Sequence, residues 1–248
     1  MEKWIYSFNK NIDDVKNPAV LLGNKGVGLN LMTGLGLPVP QGFTILTSLN
    51  HYFQKNKSFP IEFENELAEN ILKLEEISNC KFGSTTNPLL ISVRSGSQKS
   101  MPGMLDTILN IGFNKKVLKF YEKQNKGLFA WDTWRRFLHM FSHVVYKIEH
   151  FYFDEILDSY LLGAGLQFEK DLEVNDIEEI CNQYLILIEE RIGRPFPEDV
   201  DEQLVLSIKA VMESWFNERA IDYRRINEIP DDFGTAVNIQ RMVFGNLD

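Results

Sequence analysis

The stretch Ile91–Gly112, ISVRSGSQKSMPGMLDTILNIG, decides how the chain is parsed. Leu89, Leu90, Ile91 and Val93 are apolar and partly β-branched, the composition of a strand. The pattern breaks at Arg94-Ser95-Gly96 into a polar loop and resumes as Ile108-Leu109-Asn110-Ile111. Strand, flexible cationic loop, strand describes a hairpin able to handle phosphate. Glycine lets backbone N–H groups approach an anion, and arginine presents a planar fork of donors. The same pattern also describes a surface hairpin carrying ordinary solubilising charges, so the rest of the chain has to separate the two.

Upstream, residues 3–8 alternate as in a strand, and Val20-Leu21-Leu22 leads into Gly23-Asn24-Lys25-Gly26-x-Gly28. That glycine-rich turn predicts a helix over 27–35, closed by Gly34 and Gly36. A helix N-terminus attracts phosphate and Lys25 adds a point charge, although the spacing is neither a Walker loop nor a dinucleotide fingerprint. A helix-entry turn that needs glycine for its dihedral angles fits equally well. Phe43–Leu46 reads as a strand, with Thr47 or Ser48 capping a short helix through Phe53. Phe63, Leu67, Ile71 and Leu74 form the apolar stripe of an acidic helix over 62–77.

Downstream, the period changes from two to 3.6. Trp134, Phe137, Phe141, Val144 and Ile148 make one stripe; Ile177, Ile180, Tyr184 and Ile188 a second; Val200, Leu204, Ile208, Val211 and Trp215 a third. Arg219, Arg224 and Arg225 fall near the end of that last, long helix. Alternation returns at 235–244 as a final strand, which needs a neighbour for its ladder. It either rejoins the first sheet or begins another. The expected organisation is an α+β chain: an α/β lobe over 1–112, a helical subdomain over 113–197, and 198–248 as a long helix returning to the first lobe plus the first strand of a second, missing lobe.

Composition narrows the function. The chain has 248 residues, 44% hydrophobic and 25% charged, with a formal charge of −9. An acidic chain is poorly suited to non-specific nucleic-acid binding, yet one or two cations suffice for a nucleotide. No apolar run reaches the ~18 residues of a membrane span and the N-terminus lacks a signal-type apolar core. The two cysteines, Cys80 and Cys181, lie far apart without metal-type spacing. A cytoplasmic protein with buried thiols, without membrane or nucleic-acid partners, is expected.

Other chemistry is thinner. His139 and His143 have the i, i+4 spacing of zinc ligands but no glutamate of an HExxH motif, and with His51 and His150 they read better as polar surface. Asp132 and Arg136 are spaced for a helical ion pair. Asp106 is the acidic residue of the opening stretch, and no convincing Mg²⁺ carboxylate set assembles around it.

Four segments, 21–45, 91–112, 129–141 and 219–246, together resemble the N-terminal nucleotide-binding region of the pyruvate, phosphate dikinase family, with SMPGMLDTILN the most specific wording. The resemblance runs from Lys3 almost to the last residue. It implies a part of an ATP-grasp fold whose parent enzyme interconverts ATP, pyruvate and phosphate with AMP, phosphoenolpyruvate and pyrophosphate. It implies ATP and Mg²⁺ as ligands, with Lys25 and Arg94 on the ATP phosphates and the turn glycines Gly23 and Gly26 beside them. Met101, Gly103, Met104 and Leu105 would form the loop above, and the metal ligands would come mostly from a second lobe. Asn24 departs from the family's usual second glycine. On the same resemblance the phosphohistidine and pyruvate-binding parts are expected elsewhere, on a separate chain or a removed segment. The chain then either supplies the ATP-binding part of the enzyme, not competent alone, or is a non-catalytic remnant or binding module.

Overall fold

The computed structural model describes residues 3–10, 12 and 15–245. Among them, strands β1 (Ile5–Ser7), β2 (Gly42–Ile45), β5 (Ile91–Gly96), β6 (Thr107–Ile111) and β7 (Ala236–Arg241) form a five-stranded sheet in the order β1-β2-β7-β5-β6. Every pairing is antiparallel. Short strands β3 (Lys81–Phe82) and β4 (Pro88–Leu89) pair separately. The mixed helix-and-strand class expected from sequence is present.

The two faces of the sheet differ in chemistry because pairing partners share a face. One face carries Phe43, Ile45, Ile91, Val93, Ile108, Ile111, Val237 and Ile239, all buried. It packs on α8 (Val200–Glu213) and α5 (Gly127–Tyr146), whose Leu204, Ile208, Val211, Trp134, Phe137 and Phe141 belong to the same core. α3 (Ile61–Ser78) and α7 (Val174–Ile192) extend that core through the stripes read from sequence. The other face is polar at mid-sheet. Tyr6, Thr44, Asn238, Arg94 and Thr107 lie in register across all five strands.

Helix α1 (Pro18–Gly34) crosses this polar face, and its sequence explains how close it comes. Gly23 interrupts the helix with φ +65° and ψ 165°. A methyl group there would overlap the carbonyl oxygen of Gly96 in β5, and one on Gly26 would meet Thr44 Oγ1 at 2.8 Å. Glycine thus lets helix and sheet backbones touch, and the Asn24 N–H donates to Ser97 O at 3.0 Å. The expected turn is therefore a break inside a longer helix.

Other expectations shift for identifiable reasons. Residues 236–241, read as opening a further lobe, instead form the central strand, hydrogen-bonded to β2 on one side and β5 on the other. Arg94, Ser95 and Gly96 lie inside β5, not in the loop, because β7 pairs with all three. Thr47 does not cap α2 (Thr47–Asn56): Leu46 holds the cap position and Thr47 Oγ1 donates to Val20 O at 2.7 Å. The long helix stops at Glu213. A 3-10 turn, Ser214–Phe216, and extended Asn217 (φ −62°, ψ 142°) separate it from α9 (Glu218–Ile226). Ser214 Oγ bonds back to Val211 O, the local competition that ends helices.

Gly23→Ala is expected to lower stability by about 3 kcal/mol, from strain at positive φ plus the clash with β5. Gly28→Ala, whose methyl would meet nothing within 4 Å, should be neutral or stabilise by up to about 1 kcal/mol. Urea midpoints compare them, and equal effects of the two substitutions would show that the α1–β5 contact is not the constraint described.

Candidate functional site

The break in α1 and the loop between β5 and β6 enclose a cleft of about 320 Å³ lined by Asn24, Lys25, Gly96, Ser97, Met101, Gly103, Leu105 and Thr107, among others. The resumed helix starts here, so the positive end of its dipole borders the cleft. Lys25 is half-buried and its ammonium donates to Ser95 O at 2.7 Å. Burial, and then the charge of Arg94, push its pKa down to about 8. Arg94 stands on the polar sheet face between Asn238 and Thr107, and among the described residues its guanidinium has no hydrogen-bond or ion-pair partner. Two cations crowded with no carboxylate among the described residues lining the cleft make a region of positive potential with an opening.

The structure thus gathers Lys25, Met101, Gly103 and Leu105 around one cleft, with Arg94 near enough to perturb Lys25. Gly23 and Gly26 are buried and work at the helix–sheet contact. Met104 packs beside Met101, Trp215 and Ala220 in a small separate core. Gly103 has φ +72° with open space where a side chain would stand, which leaves the exposed tip of the loop unencumbered. Buried Asn238 was not singled out in the sequence. Its Oδ1 accepts from Thr44 Oγ1 at 2.9 Å, while among the described residues Nδ2 finds no partner beneath Gly96. The alternation of β7 made Asn238 legible as a polar residue on one face, but not the neighbours that bury it.

Comparison with known proteins places the chain. The family model "Pyruvate phosphate dikinase, AMP/ATP-binding domain" matches residues 54–247. The chain belongs to the pyruvate, phosphate dikinase family. It is 47% identical over 252 residues to the pyruvate, phosphate dikinase of Rickettsia prowazekii (strain Madrid E), covering 100% of this chain and 28% of that protein. It is 44% identical over 249 residues to that of Clostridium symbiosum, covering 99% of this chain and 28% of the relative. For Giardia intestinalis the figures are 44% over 227 residues, 91% and 26%. The chain therefore spans a little over a quarter of the length of these family members.

Two further groups answer questions raised by sequence. No set of three or more His, Cys, Asp or Glu among the described residues is arranged to hold a metal ion. The paired geometry of Asp132 and Arg136 is present at 2.8 Å, and Arg135, buried beside them, takes Asp132 and Glu169. The histidines, however, are not simply polar surface. His139 and His150 share a hydrogen bond of 2.7 Å, His143 stacks on His150 with ring centroids 3.5 Å apart, and His139 stacks on Phe153. The turn that reverses α5 into α6 (His150–Ala164) brings His150 back over α5. No helical periodicity reports such a reversal. Among the described residues no helix is long and apolar enough to cross a membrane.

Burial first, and then His150, push the His139 pKa down to about 4. The unfolded chain takes up a proton on this residue near the ordinary value of ~6.5, which the native state refuses. Stability should therefore fall as pH drops from about 6.5 towards 4. His139→Gln should make that fall shallower in urea titrations at pH 7.0 and 4.5. An unchanged slope would show that the histidine stack does not control the acid limb.

Proposed function

We propose that the cleft between α1 and the β5–β6 loop holds the phosphates of ATP, and that the sheet with its flanking helices is one lobe of an ATP-grasp arrangement. On this reading the chain is the nucleotide-binding part of a pyruvate, phosphate dikinase. The whole protein would convert ATP, pyruvate and phosphate to AMP, phosphoenolpyruvate and pyrophosphate, with the remaining steps carried by parts of the protein outside this chain. Residues 1–112 and 198–248 would make the lobe, and 113–197 the helical subdomain beside it.

The observation that carries the proposal is the pairing of Lys25 with Arg94. Their charges repel one another, and the Lys25 ammonium donates to the Ser95 carbonyl. A triphosphate supplies the missing counter-charge, so the ammonium turns from Ser95 O to a phosphate oxygen and recovers its ordinary basicity. Arg94 adds its fork of donors from the sheet side. Met101 and Leu105 give the loop an apolar underside, which limits water around the charges. Gly103 at the tip allows backbone to approach the anion.

Magnesium fits less well. Asp106, which falls between the cleft-lining residues Leu105 and Thr107, is already engaged with Arg219, Asn217 and Lys147. The described residues supply no carboxylate set for the ion.

Calorimetry with ATP tests the reading. Lys25→Met should weaken binding by at least about tenfold, equivalent to about 1.4 kcal/mol. Because the anion binds the ammonium form and the free pKa is about 8, affinity should be level up to that pH. Above it, affinity should decline by up to about tenfold per unit. Binding equally strong at pH 7.0 and 9.5, or unaffected in Lys25→Met, would rule the site out.

A further inference from the structure

Asp106 is the one acidic side chain of the β5–β6 connection, and the phosphate chemistry leaves it unused. It is 7% exposed at the point where the loop re-enters β6. Burying a carboxylate is costly unless it is paired, and this one is paired several times over. The guanidinium of Arg219 donates to Oδ1. Asn217 Nδ2 donates to Oδ2 at 3.2 Å, and Lys147 Nζ stands 3.6 Å from the same oxygen. The backbone N–H of Asp106 donates to Ser214 Oγ at 3.2 Å. These partners come from the C-terminal cap of α5, the turn after α8, and α9.

Arg219 does a second thing. Its Nε donates to Met104 O at 3.1 Å, so one guanidinium grips both the loop backbone and the carboxylate at its base. Beside it Met101 is buried against Trp215 and Ala220. Trp215 is itself fixed by Arg224, whose guanidinium lies 4.3 Å from the indole centroid and pairs with Asp231 at 2.8 Å. In contrast, Pro102 and Gly103 at the tip are exposed. The loop is clamped at its base and free at its tip.

We infer that Asp106 is a positioning residue: through Arg219 it holds the Met101–Leu105 arch at a fixed height over Lys25, and so sets the affinity for a polyphosphate without touching it. The inference rests on the phosphate reading of the cleft. Its physical basis is preorganisation, since a loop already ordered in the free chain does not lose that entropy on binding. It also accounts for a carboxylate beside an anion site, where an unpaired negative charge would repel the ligand.

The test combines Asp106→Asn, Arg219→Gln and the double variant, with two measurements on each. Hydrogen exchange of the amides over 98–105, without nucleotide, reads loop order, and α7 amides serve as the reference for global stability. Calorimetry with ATP reads affinity. Each single variant should speed loop exchange by at least about tenfold relative to α7 and raise the ATP Kd by about fivefold or more. The double variant should match the worse single one within about twofold, because one clamp has been removed twice. Arg219→Lys should restore part of both effects. If Asp106→Asn does not fold, Arg219→Gln at its half-exposed position carries the same comparison. Unchanged loop exchange, additive effects, or a loosened loop with unchanged Kd would overturn the inference. So would a loss of Mg²⁺ dependence confined to Asp106→Asn, which would make this residue a metal ligand. A wild-type chain that fails to bind ATP at all would instead defeat the phosphate reading, while the exchange measurements still decide the clamp.

Discussion

The contact between the backbone of α1 at Gly23 and that of β5 at Gly96 is the constraint on which the site depends. Side chains from both surfaces normally hold a helix off a sheet. Here glycine on the helix lets the two backbones meet. Three consequences follow from that proximity. Lys25, two residues on, is carried over the sheet and its ammonium reaches Ser95 O. The resumed helix begins at the rim of the cleft and not in solvent. Arg94 and Lys25 come close enough for each to feel the other's charge, which neither would choose on its own.

That arrangement sets two like charges side by side, and the fold supports it from below. The polar row Tyr6, Thr44, Asn238, Arg94 and Thr107 gives the cations a floor of dipoles in place of hydrocarbon. The opposite face of the same strands is mostly apolar, with Ser7 beside Phe43 and Ser95 beside Val237 among its polar exceptions, and it anchors the sheet to α5 and α8. A strand's alternation thus serves two purposes in this chain. One set of side chains supplies cohesion, and the set between them supplies the environment for charge.

Much of this was readable from residue order, and the failures have a common cause. The stripes Phe63–Leu74 and Ile177–Ile188 announced their helices because the helical period is a local property. Lys25 and Arg94 stood out because glycine and lone cations in apolar surroundings are locally unusual, whereas Met101, Met104 and Leu105 came only from the family resemblance. What local pattern could not give was partnership. Nothing in Ala236–Arg241 says that it lies between β2 and β5, and nothing in Thr47 says that its hydroxyl is spoken for by Val20. The interruption after Glu213 was hidden by Trp215, which continues the apolar stripe numerically while lying in a different turn. His150 joined His139 and His143 only through the reversal between α5 and α6.

The place of β7 also shapes how the molecule can be made. Strands β1 and β2 pair with one another, as do β5 and β6, and among the described residues β7 is the strand that joins the two pairs. Until residues 236–241 are available, the nascent chain holds two separate antiparallel ribbons, each with an open edge and one greasy face. Such ribbons are marginal alone and prone to pair with the wrong chain. The keystone strand is synthesised nearly two hundred residues after β2, whose Phe43 pairs with Ile239, so closure of the sheet is a late, long-range event. Assembly of the cleft, with Arg94 on one ribbon and Gly26 packed against Thr44 of the other, is coupled to that same closing step.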